Sequence, residues 1–121
     1  MFLTKEQILN KDDLERELIK VWGGEVYVRG LTGTERDDFE KKVFLDKDGN
    51  ENERFKNFRA ELIVRTVVNE KGDKIFDMGD VTKLGTKSAK ELNRIFEVAQ
   101  RLSGLGKEDI DDLTKNSKTT P

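Results

Sequence analysis

The chain has 121 residues, enough for one compact domain, and is 34% hydrophobic and 40% charged. Its 23 Lys and Arg nearly cancel its 25 Asp and Glu, unlike the large imbalance of disordered chains, so one small core under a charged surface with loose ends is expected. The absence of Cys and His excludes disulfide and thiolate chemistry and removes the commonest general base and transition-metal ligand.

The first segment, LTKEQILNKDDLEREL, offers Thr4 and Gln7 as a capping box. Its apolar positions are sparse, which predicts a short helical turn followed by a mobile charged stretch. Nothing in MFLTKEQILNKDD reads as a signal peptide, and no apolar run approaches the roughly 20 residues needed to cross a bilayer. A cytoplasmic protein without membrane contact is therefore expected. In LIKVWGGEVYVRGL, Val26 and Val28 alternate with Tyr27 and Arg29 in the period of a half-buried strand. Gly23-Gly24 is a two-residue turn signal, so a β-hairpin is predicted. Trp22 reads as a core or hairpin-face aromatic in preference to a ligand-stacking one.

LTGTERDDFEKKVF opens with Thr32 and Glu35 spaced as a second capping box. Glu35, Asp37 and Asp38 suit the positive end of the helix dipole, and Leu31, Phe39 and Val43 are placed to face the core. After the polar loop LDKDGNENE, the spacing of Phe55, Phe58, Leu62, Ile63 and Val67 predicts a central helix running on toward Gly72. A turn near Gly72-Asp73, an extended piece at Ile75-Phe76 and one helical turn over Val81 to Leu84 should follow. TKSAKELNRIFEVAQRLSGLG carries a third capping box (Ser88, Glu91) and an apolar stripe of Ala89, Leu92, Ile95, Phe96, Ala99 and Leu102. Gly104 and Gly106 supply its stop. The fold class expected is α+β, mainly α-helical, with a small β-hairpin packed against about four helices. Three regions are expected: a charged, partly mobile segment over 1–20, a globular domain over 21–105, and a weakly helical to disordered tail over 106–121.

Tests for chemistry return little. Counting from Asp46, Gly49 falls at position four of an EF-hand loop and Asn57 at position twelve, where glycine at six and glutamate at twelve are required. Neither Gly23-Gly24 nor RGLTGTE has phosphate-loop spacing, and the acids at the following helix start would repel phosphate. The pairs Asp12-Asp13, Asp37-Asp38 and Asp111-Asp112 read as solvated faces, since neighbouring acids on a helix diverge by about 100°. Positive residues are interleaved with acids, as in ERDDFEKK, so no basic stripe for nucleic acid forms. No catalytic, cofactor-binding or metal-binding residue is assigned, and a non-enzymatic protein is expected. Val21–Glu40 reads as scaffold.

The ordered motifs VWGGEVYVRGLTGTERDDFE, RAELIVRTVVNEKGDKIFDMGDVTKL, SAKELNRIFEVAQRLSGL and KNSKTTP together resemble the tail assembly chaperones of long-tailed bacteriophages and prophages. The resemblance runs from about Val21 to the C-terminus; residues 1–20 carry none of it. It implies a protein that binds the long, apolar, helical tape measure protein, keeps it soluble, helps recruit tail tube protein subunits, works in the host bacterial cytoplasm and is absent from the mature virion. It also implies relatives extended by a ribosomal frameshift. Self-association is a further expectation, because many copies would be needed along one tape measure. The alternative is a structural component retained in the virion, such as a connector or tail-completion protein. Apolar residues not needed inside are the candidate partner contacts: Phe44, Phe55, Phe58 and Met78, with Ile110 and Leu113 in the tail. For Phe55 and Phe58 the core reading is preferred, since helix-spaced aromatics usually pack inside.

Overall fold

The computed structural model describes residues 1–45 and 56–106. Thr4 opens α1 (Lys5–Leu9) with both bonds of its capping box formed, yet the helix buries no residue. β1 (Arg16–Val21) and β2 (Gly24–Arg29) pair antiparallel with Leu18 opposite Tyr27 and Val21 opposite Gly24. That register moves the two-residue turn one place back from the expected Gly23-Gly24, to Trp22-Gly23. Both take positive φ (50° and 76°), the sign pattern of a type I′ hairpin turn, whose twist matches the strands. A large aromatic therefore occupies a left-handed position, and Trp22 is 46% exposed at the hairpin tip.

α2 (Gly33–Glu40) starts on the complete Thr32–Glu35 capping box and continues as a π-helical turn over Lys41–Leu45. Leu31, Phe39 and Val43 are buried, as their spacing predicts. α3 (Phe58–Thr66) is buried over Ala60 to Thr66, including a Glu61–Arg65 pair one turn apart. Arg65 Nη1 donates to the Glu61 carbonyl oxygen (2.6 Å) and carboxylate (3.1 Å), so neither buried charge is left unpaired.

The central helix does not continue to Gly72. It stops at Thr66, and β3 (Val67–Val68) pairs antiparallel with Tyr27 and Val28, giving a three-stranded sheet of order β1-β2-β3. Two consecutive valines gain more by covering the open edge of β2 than by extending a helix in which β-branched side chains are restricted. The expected extended piece at Ile75-Phe76 is not a paired strand: the chain bridges β3 at Lys74, opposite Val68, then forms a 3₁₀ turn (Met78–Asp80) and α4 (Val81–Leu84).

α5 (Ala89–Leu102) buries Leu92, Ile95, Phe96 and Ala99 against the sheet and α3; Ala89 is exposed and Leu102 half-buried. The third capping box is not made. Ser88 makes no side-chain cap, and Glu91 Oε2 instead accepts from the Trp22 backbone N–H at 3.1 Å. Arg94 Nη1 donates to the Lys20 carbonyl oxygen (3.0 Å) and Arg101 pairs with Glu17 (2.8 Å). One helix face is thus tied to β1 along its length, which places the core between sheet, α3 and α5.

The helix ends in a Schellman motif. Leu105 N–H reaches the Gln100 carbonyl oxygen (3.0 Å), Gly104 N–H reaches that of Arg101 (3.2 Å), and Gly104 takes φ 71°. Leu105, not foreseen as core, is 1% exposed. Nearby, Leu31 N–H donates to Ser103 Oγ (2.9 Å), locking the end of β2 beneath this terminus. The outcome is an α+β, mainly helical fold, with a third strand added to the expected hairpin and five α-helices among the described residues.

Candidate functional site

Among the described residues, Glu35 is a carboxylate displaced far from its ordinary pKa, the usual mark of either a reactive acid or a structural ion-pair network. Burial raises its pKa, but Arg29 and Lys74 hydrogen bonds, the Thr32 N–H and the Arg29 charge lower it further, to about 2. Arg29 grips it bidentately, Nη1 to Oε1 at 2.8 Å and Nη2 to Oε2 at 2.9 Å, while Lys74 pairs with Oε2. A carboxylate so fully engaged has no free lone pair for a substrate proton. Its work is structural: it joins β2, the start of α2 and the segment after β3.

A carboxyl held low in the folded state supplies stability that is whole above its ordinary value of 4.5 and is lost as pH falls toward 2. The shift corresponds to about 3 kcal/mol, or about 2 kcal/mol after discounting for water that reaches the Lys74 side. Glu35→Gln is expected to lose that amount at pH 7 and nothing near pH 2, measured by urea denaturation across the range. An unchanged pH profile would remove Glu35 from the network.

The remaining candidate is a surface. In the sheet, Ile19, Val21, Val26, Val28 and Val67 face the helices. The opposite face carries a row made by Leu18, Tyr27 and Val68, which register places side by side. Together with Ile75, this row floors a groove of about 280 Å³ whose lining also includes Glu25, Asn69 and Glu70. Val68 is 1% exposed although it belongs to this outer row, whereas Leu18 and Ile75 stand 48% and 47% exposed. Arg16 lies over the same row. Its guanidinium lies 4.2 Å over the Tyr27 ring, and Nη1 donates to the Glu70 carbonyl oxygen at 3.0 Å. The volume lies at the lower limit of small-molecule sites, and it suits a few side chains of another polypeptide. Among the described residues there is no group of three or more acids placed to hold a metal, and no helix is long and apolar enough to cross a membrane.

Of the residues expected to contact a partner, Phe58 and Met78 do not line this groove. Phe58 is half-buried between Phe39 and Phe96, with ring centroids 5.3 and 5.6 Å away, so it closes the core. Met78 is 48% exposed on the 3₁₀ turn. Phe44 belongs to the π-helical turn, and Phe55, Ile110 and Leu113 lie outside the described residues. The groove residues did leave a trace in the sequence: LIKV puts apolar side chains on both faces of β1, and Val67-Val68 does the same for β3. A strand covered on one face alone would not need both.

Fold and surface together define a small α+β domain with a groove of mixed apolar and polar lining on the outer sheet face. The same fold occurs in the solved tail assembly chaperone of bacteriophage HK97: the structures superpose with a TM-score of 0.60 at 14% identity, over 80% of this chain and 94% of that one. At that identity the likeness is one of fold, and it supports the resemblance carried by the Trp-Gly-Gly hairpin and the motifs after it. No protein-family model and no curated protein matches the sequence.

Proposed function

We propose that this chain is a non-enzymatic tail assembly chaperone that binds a tape measure protein in the host bacterial cytoplasm, keeps it soluble and helps recruit tail tube subunits, and that it is absent from the mature virion. The observation that carries the reading is the shared fold with the HK97 chaperone across nearly all of that protein, reached independently of the motif order in the sequence. The groove agrees with it. A protein that holds a long apolar helix needs exposed apolar surface within a charged, soluble exterior, and Leu18, Tyr27 and Ile75 lie in such a setting.

The test is co-expression with the tape measure protein encoded beside it. The soluble fraction of that protein is expected to rise several-fold, and the two should co-purify. A tape measure that stays insoluble and unbound in the presence of abundant folded chain would overturn the proposal. Recovery of this chain from purified virions would favour a structural tail component instead.

A further inference from the structure

We infer that the outer-face groove is the docking site for an amphipathic helix of another polypeptide in which lysines or arginines flank the apolar stripe. This deepens the chaperone reading, and the helical form of the occupant rests on that reading; the site and its charge preference come from the groove itself.

The floor supplies the apolar half of the recognition. Leu18, Tyr27 and Ile75 present their side chains around the buried Val68, and a stripe of residues three and four apart on a helix is the shape that fills a row of this kind. Charge selects among such helices. The two acids lining the groove, Glu25 and Glu70, make no ion pair within the described residues. Glu25 lies on β2, two residues before Tyr27, and Glu70 lies in the turn that follows Val68 at the end of β3.

The cations nearby are differently placed. Arg16 is held on the Tyr27 ring and the Glu70 carbonyl oxygen. Lys20 is opposite Glu25 in the register but does not line the groove. An incoming helix therefore meets apolar floor beside two carboxylates that make no ion pair among the described residues. Lysine or arginine next to its stripe would find partners there, whereas aspartate or glutamate would meet like charge. The groove volume of about 280 Å³ accommodates side chains without enclosing a free cofactor, in keeping with a shallow protein-binding surface.

The experiment uses the full chain, ¹⁵N-labelled, titrated with a synthetic amphipathic helix that has leucines three and four apart and lysines flanking them. A twin peptide carries glutamate at every lysine position. The lysine peptide is expected to shift the amides of Leu18, Tyr27, Val68 and Ile75 and to bind about tenfold more tightly than its twin, the scale of two exposed ion pairs. Added salt should narrow that gap. In Glu25→Lys/Glu70→Lys, whose changes are confined to exposed positions, the preference should vanish or reverse while the unliganded spectrum keeps its dispersion.

Equal affinity for the two peptides, no binding of either, or shifts confined to another surface would overturn the inference. So would the same amides shifting with protein concentration alone, which would make a second copy of this chain the occupant. Failure of the tape measure co-expression would count against the chaperone reading and leave the peptide result standing, so the two are separable.

Discussion

Phe39→Ala is expected to cost about 3–5 kcal/mol, the range for removing a large aromatic from a core that cannot fully collapse around the void. Phe39 is 0% exposed, and its ring is 5.3 Å from Phe58, which in turn touches Phe96 at 5.6 Å. The three rings come from α2, α3 and α5, so the loss falls where three helices meet. Edge and offset ring contacts add about 0.5–1.5 kcal/mol beyond area burial. Against a total stability of about 5–15 kcal/mol, this variant should melt on the order of 15 °C below wild type. A calorimetric midpoint within a few degrees of wild type would mean that the aromatic trio is not the centre of the core. Phe58→Leu should cost less, because Phe58 is only half-buried.

Gly30→Ala is expected to cost about 3 kcal/mol, the upper part of the range for overpacking. A methyl on Gly30 would collide with the Leu102 carbonyl oxygen and lie 3.1 Å from its carbonyl carbon. Both obstacles are backbone, on a helix end held by the Schellman bonds and by Ser103 capping Leu31 N–H, so neither can swing aside. Gly33→Ala is the control: nothing lies within 4 Å of its added methyl, and it occupies the first turn of α2. There alanine should be neutral or slightly stabilising. Equal urea midpoints for the two variants would show that β2 does not press against the end of α5 as described.

How much of this was legible beforehand depends on whether the controlling contact is local. The Thr4 and Thr32 capping boxes, the buried stripe of α5 and the turn of helix at Val81–Leu84 were all readable. Each is decided by residues within four positions of one another. The Ser88 box misled because Glu91 was claimed by the Trp22 N–H, 69 residues away in sequence. Val67-Val68 misled because helical spacing continued through them, and only the open edge of β2 made strand pairing the better outcome. The groove was hidden for the same reason. Leu18, Tyr27, Val68 and Ile75 come from four separate stretches of chain, and the apolar residues on both faces of β1 and β3 tell no more than that a second face is covered.

The amino-acid sequence by itself determined the α+β class, most of the helix starts, the core stripe of α5 and the missing histidine and cysteine chemistry, because composition and short-range periodicity act without reference to distant residues. Tertiary structure alone decided the type I′ turn at Trp22-Gly23, the third strand, the burial of Leu105, the engagement of Glu35 and the outer-face groove. Each of these depends on a backbone edge, a charge or a row of side chains brought from elsewhere in the chain, and no local pattern encodes what will arrive there.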